Sequence, residues 1–164
     1  MMLVDFHSLF ERHAQDVFRF TLYLSGDSSL AEEITQEAFV RAWVASDEIR
    51  GGTAKAYLLT IARNLFLAER KRTVRQIAMD SNLIDPKPGP QAVAEGRVEL
   101  KAVLDALQTL PEIDRSALLM HIQDGLPYAA IASALGSSIA AIKVRIHRAR
   151  IKLRQLCNPM EDEP

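Results

Sequence analysis

The chain has one cysteine, Cys157, so an internal disulfide cannot form. No apolar run approaches the roughly 20 residues that a membrane-spanning helix needs, so no membrane insertion of its own is expected. The opening residues, MMLVDFHSLFERH, lack the basic-then-apolar order of a secretory signal. Together these absences favour a cytoplasmic protein. Metal-ligand spacing is missing too: His7, His13, His121 and His147 are scattered, and the one cysteine has no partner. There is no nucleophile elbow, no catalytic-triad context and no paired carboxylate in a plausible cleft. Arg50-Gly51-Gly52 lacks the lysine and the spacing of a phosphate-binding loop. The expectation is a protein with no enzymatic activity and no cofactor. An excess of charge is also lacking, since the formal net charge is −1, so what matters is where the charge sits.

What is present is ordinary for a folded chain: 164 residues, 48% hydrophobic and 25% charged, enough for one domain or two small ones. Periodicity predicts helix almost everywhere. Phe6, Phe10, Val17, Phe20 and Leu24 recur close to helical turns between Asp5 and Ser25. Gly26 suits the C-terminal cap of that helix. Ser28 or Ser29 is expected to cap the next, with Glu32 and Glu33 in its first turn, and it should run to about Ser46. A loop over 47–53 precedes a third helix from Ala54 to about Arg72. Asp85-Pro86-Lys87-Pro88-Gly89-Pro90 cannot continue a helix, and the segment 75–96 reads as an extended linker between domains. The alternative is a long surface loop within one domain. Beyond it an amphipathic helix is expected from Arg97 to Gln108. Pro111 then opens a helix to about Asp124, and Gly125 makes a turn. The fold class is all-α, with two small helical domains over 1–74 and 97–157 and a tail over 158–164.

The positive charge gathers at one end. In YAAIASALGSSIAAIKVRIHRARIKLRQL, Tyr128 to Leu156, the first half is short, Ala-rich and nearly uncharged. Tyr128 to Leu135 makes a short helix, Gly136 a turn, and Ser137 or Ser138 a cap for a second helix. That is the layout of a helix-turn-helix, whose second helix enters the major groove by its N-terminal part. Ile139, Ile142, Ile146, Ala149 and Leu153 step by three and four along one seam. Lys143, His147, Arg150 and Arg154 flank it on one side, and Arg145, Arg148 and Lys152 on the other. Such rims suit phosphates. A solvated basic face on an ordinary terminal helix is the competing reading, and the Gly turn and Ser cap weigh against it.

LPEIDRSALLMHIQDGLPYAAIASALGSSIAAIKVRIHRARIKL resembles domain 4 of the extracytoplasmic-function (ECF) sigma factors of bacterial RNA polymerase. Gly125-Leu126-Pro127-Tyr128, Ile131-Ala132 and Lys143 to Arg150 fill the family's places. Ala141 and Val144 stand where threonine and serine are common. The resemblance implies recognition of a −35 promoter element by Ser138, Ala141, Lys143 and Val144 at base edges. Arg145, His147, Arg148 and Arg150 would hold phosphates.

The first half is similar to sigma domain 2. In AEEITQEAFVRAW, Glu33, Gln36, Glu37 and Val40 share a helical face, which by itself is either a docking face or a solvated one. The resemblance makes Glu33, Gln36 and Glu37 the residues that dock on the β′ clamp helices of the polymerase. IRGGTAKAYLLTIARNLFLAERKR matches the family's Arg-Gly loop and its Ile-Ala-Arg-Asn helix. Arg50, Gly51, Gly52 and Thr53 would then line a pocket for a base flipped from the −10 element. Arg63, Asn64, Lys71 and Arg72 would hold the backbone nearby. Tyr57 stands where tryptophan is usual and Ile49 where phenylalanine is common. Phe39, Trp43 and Tyr57 read better as core than as base-stacking platforms. The implied partners are core RNA polymerase (β′ clamp helices and β flap), promoter DNA and an anti-sigma factor. Two further readings stand beside this one: a sigma-like mimic that sequesters an anti-sigma factor, and a stand-alone regulator binding a palindromic operator.

Overall fold

The computed structural model describes residues 6–45, 54–80 and 95–157. Within them the order is α1 (Phe6–Ser25), α2 (Ser28–Val44), α3 (Ala54–Met79), α4 (Glu95–Gln108), α5 (Glu112–Leu118), a π-helical turn (Leu119–Gln123), α6 (Tyr128–Leu135) and α7 (Ile139–Cys157). The described residues contain no strand.

α1 ends where Gly26 turns left-handed, at φ 72°, and returns its N–H to the Leu22 carbonyl at 2.7 Å. The cap of α2 is Asp27 rather than Ser28 or Ser29. Its extended backbone lets its carboxylate accept from the N–H groups of Ser29 and Leu30 at 3.0 and 3.2 Å, while Ser28 is already helical. The earlier start moves Glu32 and Glu33 out of the first turn. α1, α2 and α3 pack on one another through Val17, Phe20 and Leu24, Ala38 and Phe39, and Leu58, Leu59 and Ala62, all essentially closed to solvent. Each buried Leu or Phe contributes about 1.5–3 kcal/mol relative to exposure.

α3 runs on to Met79, seven residues past the expected end at Arg72. Residues 73–79 hold no proline or glycine to stop it, and all are exposed, so no buried stripe announced the helix in sequence. The segment expected as linker therefore starts inside a helix, and α4 begins at Glu95. The Pro-rich stretch itself, Asp85 to Pro90, lies outside the described residues.

In the second half α5, α6 and α7 enclose Ala117, Met120, Ile131, Ile142, Ile146 and Ala149. Pro111 is the cap residue, one place before the helix proper, with ψ 143°. Arg115 is buried and ties off the end of α4, donating to the carbonyls of Leu107 and Leu110 at 3.3 and 2.9 Å. The halves also pack against each other: α1 meets α4, α5 and the π-helical turn, and α3 meets α6. Their buried side chains form one continuous cluster.

Candidate nucleic-acid and polymerase interfaces

α6 and α7 meet at 97°, within the range of a helix-turn-helix. Gly136 makes the corner at φ 64°, and the Ser138 hydroxyl accepts the Ala141 N–H at 3.1 Å, so Ser138 is the cap of α7. Ile131, Ala132 and Leu135 of α6 are buried with Ile142, Ile146 and Ala149 of α7. Leu153 is half-buried, but Ile139, expected in the same seam, is exposed. It sits on the first turn, beyond the reach of the helices that cover the rest.

The exposed face of α7 therefore carries Ile139, Lys143, Val144 and His147, with Arg148 and Arg150 beside them; Ala141 is half-buried. Lys143 Nζ lies 5.5 Å from the Tyr128 ring centroid, and that ring stacks on His121 at 4.7 Å. Two cations of the other rim are engaged internally. Arg145 Nη1, expected to hold a phosphate, donates to the buried Asp114 carboxylate at 2.9 Å. Lys152 Nζ donates to the Thr109 carbonyl at 3.0 Å. Charge on a helix rim was legible in sequence; the carboxylate 31 residues away that claims Arg145 was not.

On α2, Glu33, Gln36, Glu37 and Val40 are all exposed on one face, and Glu37 pairs with Arg41 at 3.1 Å. Phe39 is buried, as a core residue should be, and meets Phe6 and Phe10 edge-on. Trp43 packs on Phe6 at 5.1 Å with half its surface open. Tyr57 is half-buried against the core.

Arg50, Gly51, Gly52 and Thr53 lie outside the described residues. Asn64, Lys71 and Arg72 are exposed on α3, with Arg72 paired to Glu69 at 2.7 Å. Arg63 differs. It is 12% exposed, and its Nε and Nη2 donate to the two carboxylate oxygens of Glu112 at 2.6 and 3.0 Å. Ser116 Oγ donates to the same carboxylate at 2.7 Å. Burial pushes the Glu112 carboxyl up, but these hydrogen bonds outweigh it and hold it below the usual range. Nearby, Lys55 Nζ stands 3.5 Å from Asp16 and 3.7 Å from Asp124. Burial drives the Asp124 carboxyl up to about 7, with Asp16 adding to the shift and Lys55 and Arg19 opposing it. Neither Glu112 nor Asp124 was singled out in sequence. A helix-initiating acid and a turn acid both look like surface residues until the tertiary fold covers them.

Residues 9–76 match the family model for Sigma-70 region 2, and residues 100–153 the one for Sigma-70 region 4. The chain is 34% identical over 155 residues to ECF RNA polymerase sigma factor SigE of Mycolicibacterium smegmatis, with 89% of this chain and 59% of that protein covered. It is 32% identical over 152 residues to ECF RNA polymerase sigma factor SigL of Mycobacterium tuberculosis, with 90% and 85% covered. The chain belongs to the ECF RNA polymerase sigma factor family. Proteins of this family serve promoter-specific transcription initiation. The fold agrees: the sigma factor RpoE of Bartonella quintana, solved with the anti-sigma factor NepR, superposes with TM-score 0.82 at 27% identity, covering 93% of this chain and 96% of that one. CnrH, solved with the cytosolic domain of CnrY, shares the fold at TM-score 0.69 and 24% identity, over 94% and 88% of the chains. In this sigma factor α1–α3 are thus region 2 and α4–α7 region 4, and the Arg63–Glu112 pair crosses between them.

Proposed function

We propose that this sigma factor binds core RNA polymerase through α2 and directs it to promoters read at two elements, acting in the cytoplasm and performing no catalysis of its own. The observation that carries the reading is the exposed face of α7 at a capped helix-turn-helix, in one chain with the exposed Glu33, Gln36 and Glu37 of region 2. Ser138, Ala141, Lys143 and Val144, joined by Ile139, form the base-reading end, with the apolar side chains suited to thymine methyl groups. His147, Arg148 and Arg150 hold phosphates. In region 2, Asn64, Lys71, Arg72 and Arg63 track the −10 strand, and Arg50, Gly51, Gly52 and Thr53 offer the pocket. Glu33, Gln36 and Glu37 meet the β′ clamp helices, and region 4 meets the β flap. RpoE of B. quintana was solved with an anti-sigma factor, which supports an anti-sigma partner for this chain as well.

The test adds the purified chain to core polymerase and looks for promoter-specific transcripts. Replacing Gln36 and Glu37 by Ala should abolish them by weakening core binding, with the circular dichroism unchanged. Absence of any promoter-specific transcript from the parent chain would overturn the reading.

A further inference from the structure

Arg63 is the one region-2 cation of the DNA-tracking set that is spoken for by region 4. Its guanidinium makes two parallel hydrogen bonds to Glu112, at 2.6 and 3.0 Å, and both side chains are nearly closed to solvent, at 12 and 13% exposed. A guanidinium fork fits a phosphate with the same two-point geometry that it uses for a carboxylate. The two acceptors would occupy the same donors, so Arg63 can hold Glu112 or a phosphodiester, but not both. Ser116 fixes the carboxylate from within its own helix, which keeps Glu112 in place whether or not Arg63 is there. Two further ties close the same boundary. Lys55 reaches across to Asp124 at 3.7 Å, and the Gln108 amide donates to the Tyr23 carbonyl at 3.1 Å. Asn64, Lys71 and Arg72 stay exposed, so the closure withdraws Arg63 and leaves its neighbours in place.

We propose that Glu112 is an internal substitute for a promoter phosphate: it latches region 4 onto region 2 and withholds Arg63 until the two regions part. This rests on the reading of Arg63 as a DNA contact. A chain held mostly closed binds single-stranded DNA through Arg63 only in its open fraction, and its apparent affinity falls by that fraction.

The experiment uses the full chain, spin-labelled at cysteines introduced by Ser29→Cys on α2 and Gln155→Cys on α7, with Cys157→Ser. Both labelled positions are exposed. Distances between the labels and affinity for a single-stranded oligo(dT) probe are measured together. Glu112→Gln should lengthen the distance distribution and raise the affinity about five- to tenfold. Combining Arg63→Glu with Glu112→Arg should restore the short distance while the affinity stays low, which a loss of folding could not imitate. Unchanged distances in Glu112→Gln overturn the latch. Longer distances without a gain in affinity overturn it too. In that case promoter binding by holoenzyme carrying Arg63→Gln separates the two failures. A loss keeps Arg63 as a DNA contact that Glu112 does not gate, and no loss removes Arg63 from the DNA interface.

Discussion

Arg145 and Arg148 stand three residues apart on α7 and have opposite surroundings. Arg145 neutralises the buried Asp114, whereas Arg148 is exposed. Arg145→Ala strands a buried carboxylate and should lower stability by about 1–3 kcal/mol in urea denaturation. Arg148→Ala should stay within about 0.5 kcal/mol. Promoter binding should respond the other way, Arg148→Ala reducing the salt slope of holoenzyme binding by about one. Asp124 supplies a second contrast. Its side chain is 1% exposed, and both its oxygens lack a hydrogen-bond donor. Its folded-state carboxyl titrates near 7 instead of 3.8, so the fold binds this proton more tightly than the unfolded chain does. The stability it lends is full below about pH 4 and is lost as pH rises to about 7. Asp124→Asn keeps the shape without the charge, and Lys55 retains Asp16. The melting temperature of Asp124→Asn should therefore gain on that of the parent steadily between pH 4 and 7 and run parallel above it. A constant offset across that range would show that Asp124 is not the group responsible.

Among the elements, α6 and α7 were the most legible in sequence, because what makes them is local. A left-handed glycine, a serine three residues before the amide it caps, and an apolar period of three and four are all written within 30 residues. The whole α6 span, Tyr128–Leu135, was readable for that reason. α3 was readable only as far as it buries a face: Phe66 is its last buried residue, and beyond it the pattern falls silent although the helix continues. The sites divide along the same line. Glu33, Gln36 and Glu37 were placed on one exposed face by helical geometry alone. The internal partners of Arg63 and Arg145 were not legible, because their carboxylates lie 49 and 31 residues away, a pairing that only tertiary structure creates. On α7, Lys143 is steadied over Tyr128 at the end of the helix proposed to read bases. Lys143→Ala should reorder a panel of −35 variants by about 1–3 kcal/mol at the affected base pair. Uniform weakening of every variant would instead make Lys143 a phosphate contact.

At the scale of the whole molecule, the two regions share one buried cluster rather than owning separate cores. Trp43, the only tryptophan, sits in region 2, so its fluorescence reports that half, whereas far-UV circular dichroism reports every helix. The two signals should trace coincident urea transitions in the parent chain. They should separate in Glu112→Gln, where the halves are less tightly joined. Acid should act in the same direction. The depressed Glu112 carboxyl stabilises the closed arrangement above its ordinary value of 4.5, and that contribution is lost as pH falls through its lower folded value. One feature of α3 reaches beyond this closed body. Residues 70–79 are exposed throughout, so the helix continues for about 15 Å with its amides held by intrahelical bonds alone. Deuterium should therefore enter this single helix on two clocks. Amides up to Phe66 wait for global unfolding, while those near Met79 exchange by fraying from that end, about a thousand times sooner on the scale of about 4 kcal/mol that separates a frayed turn from a core.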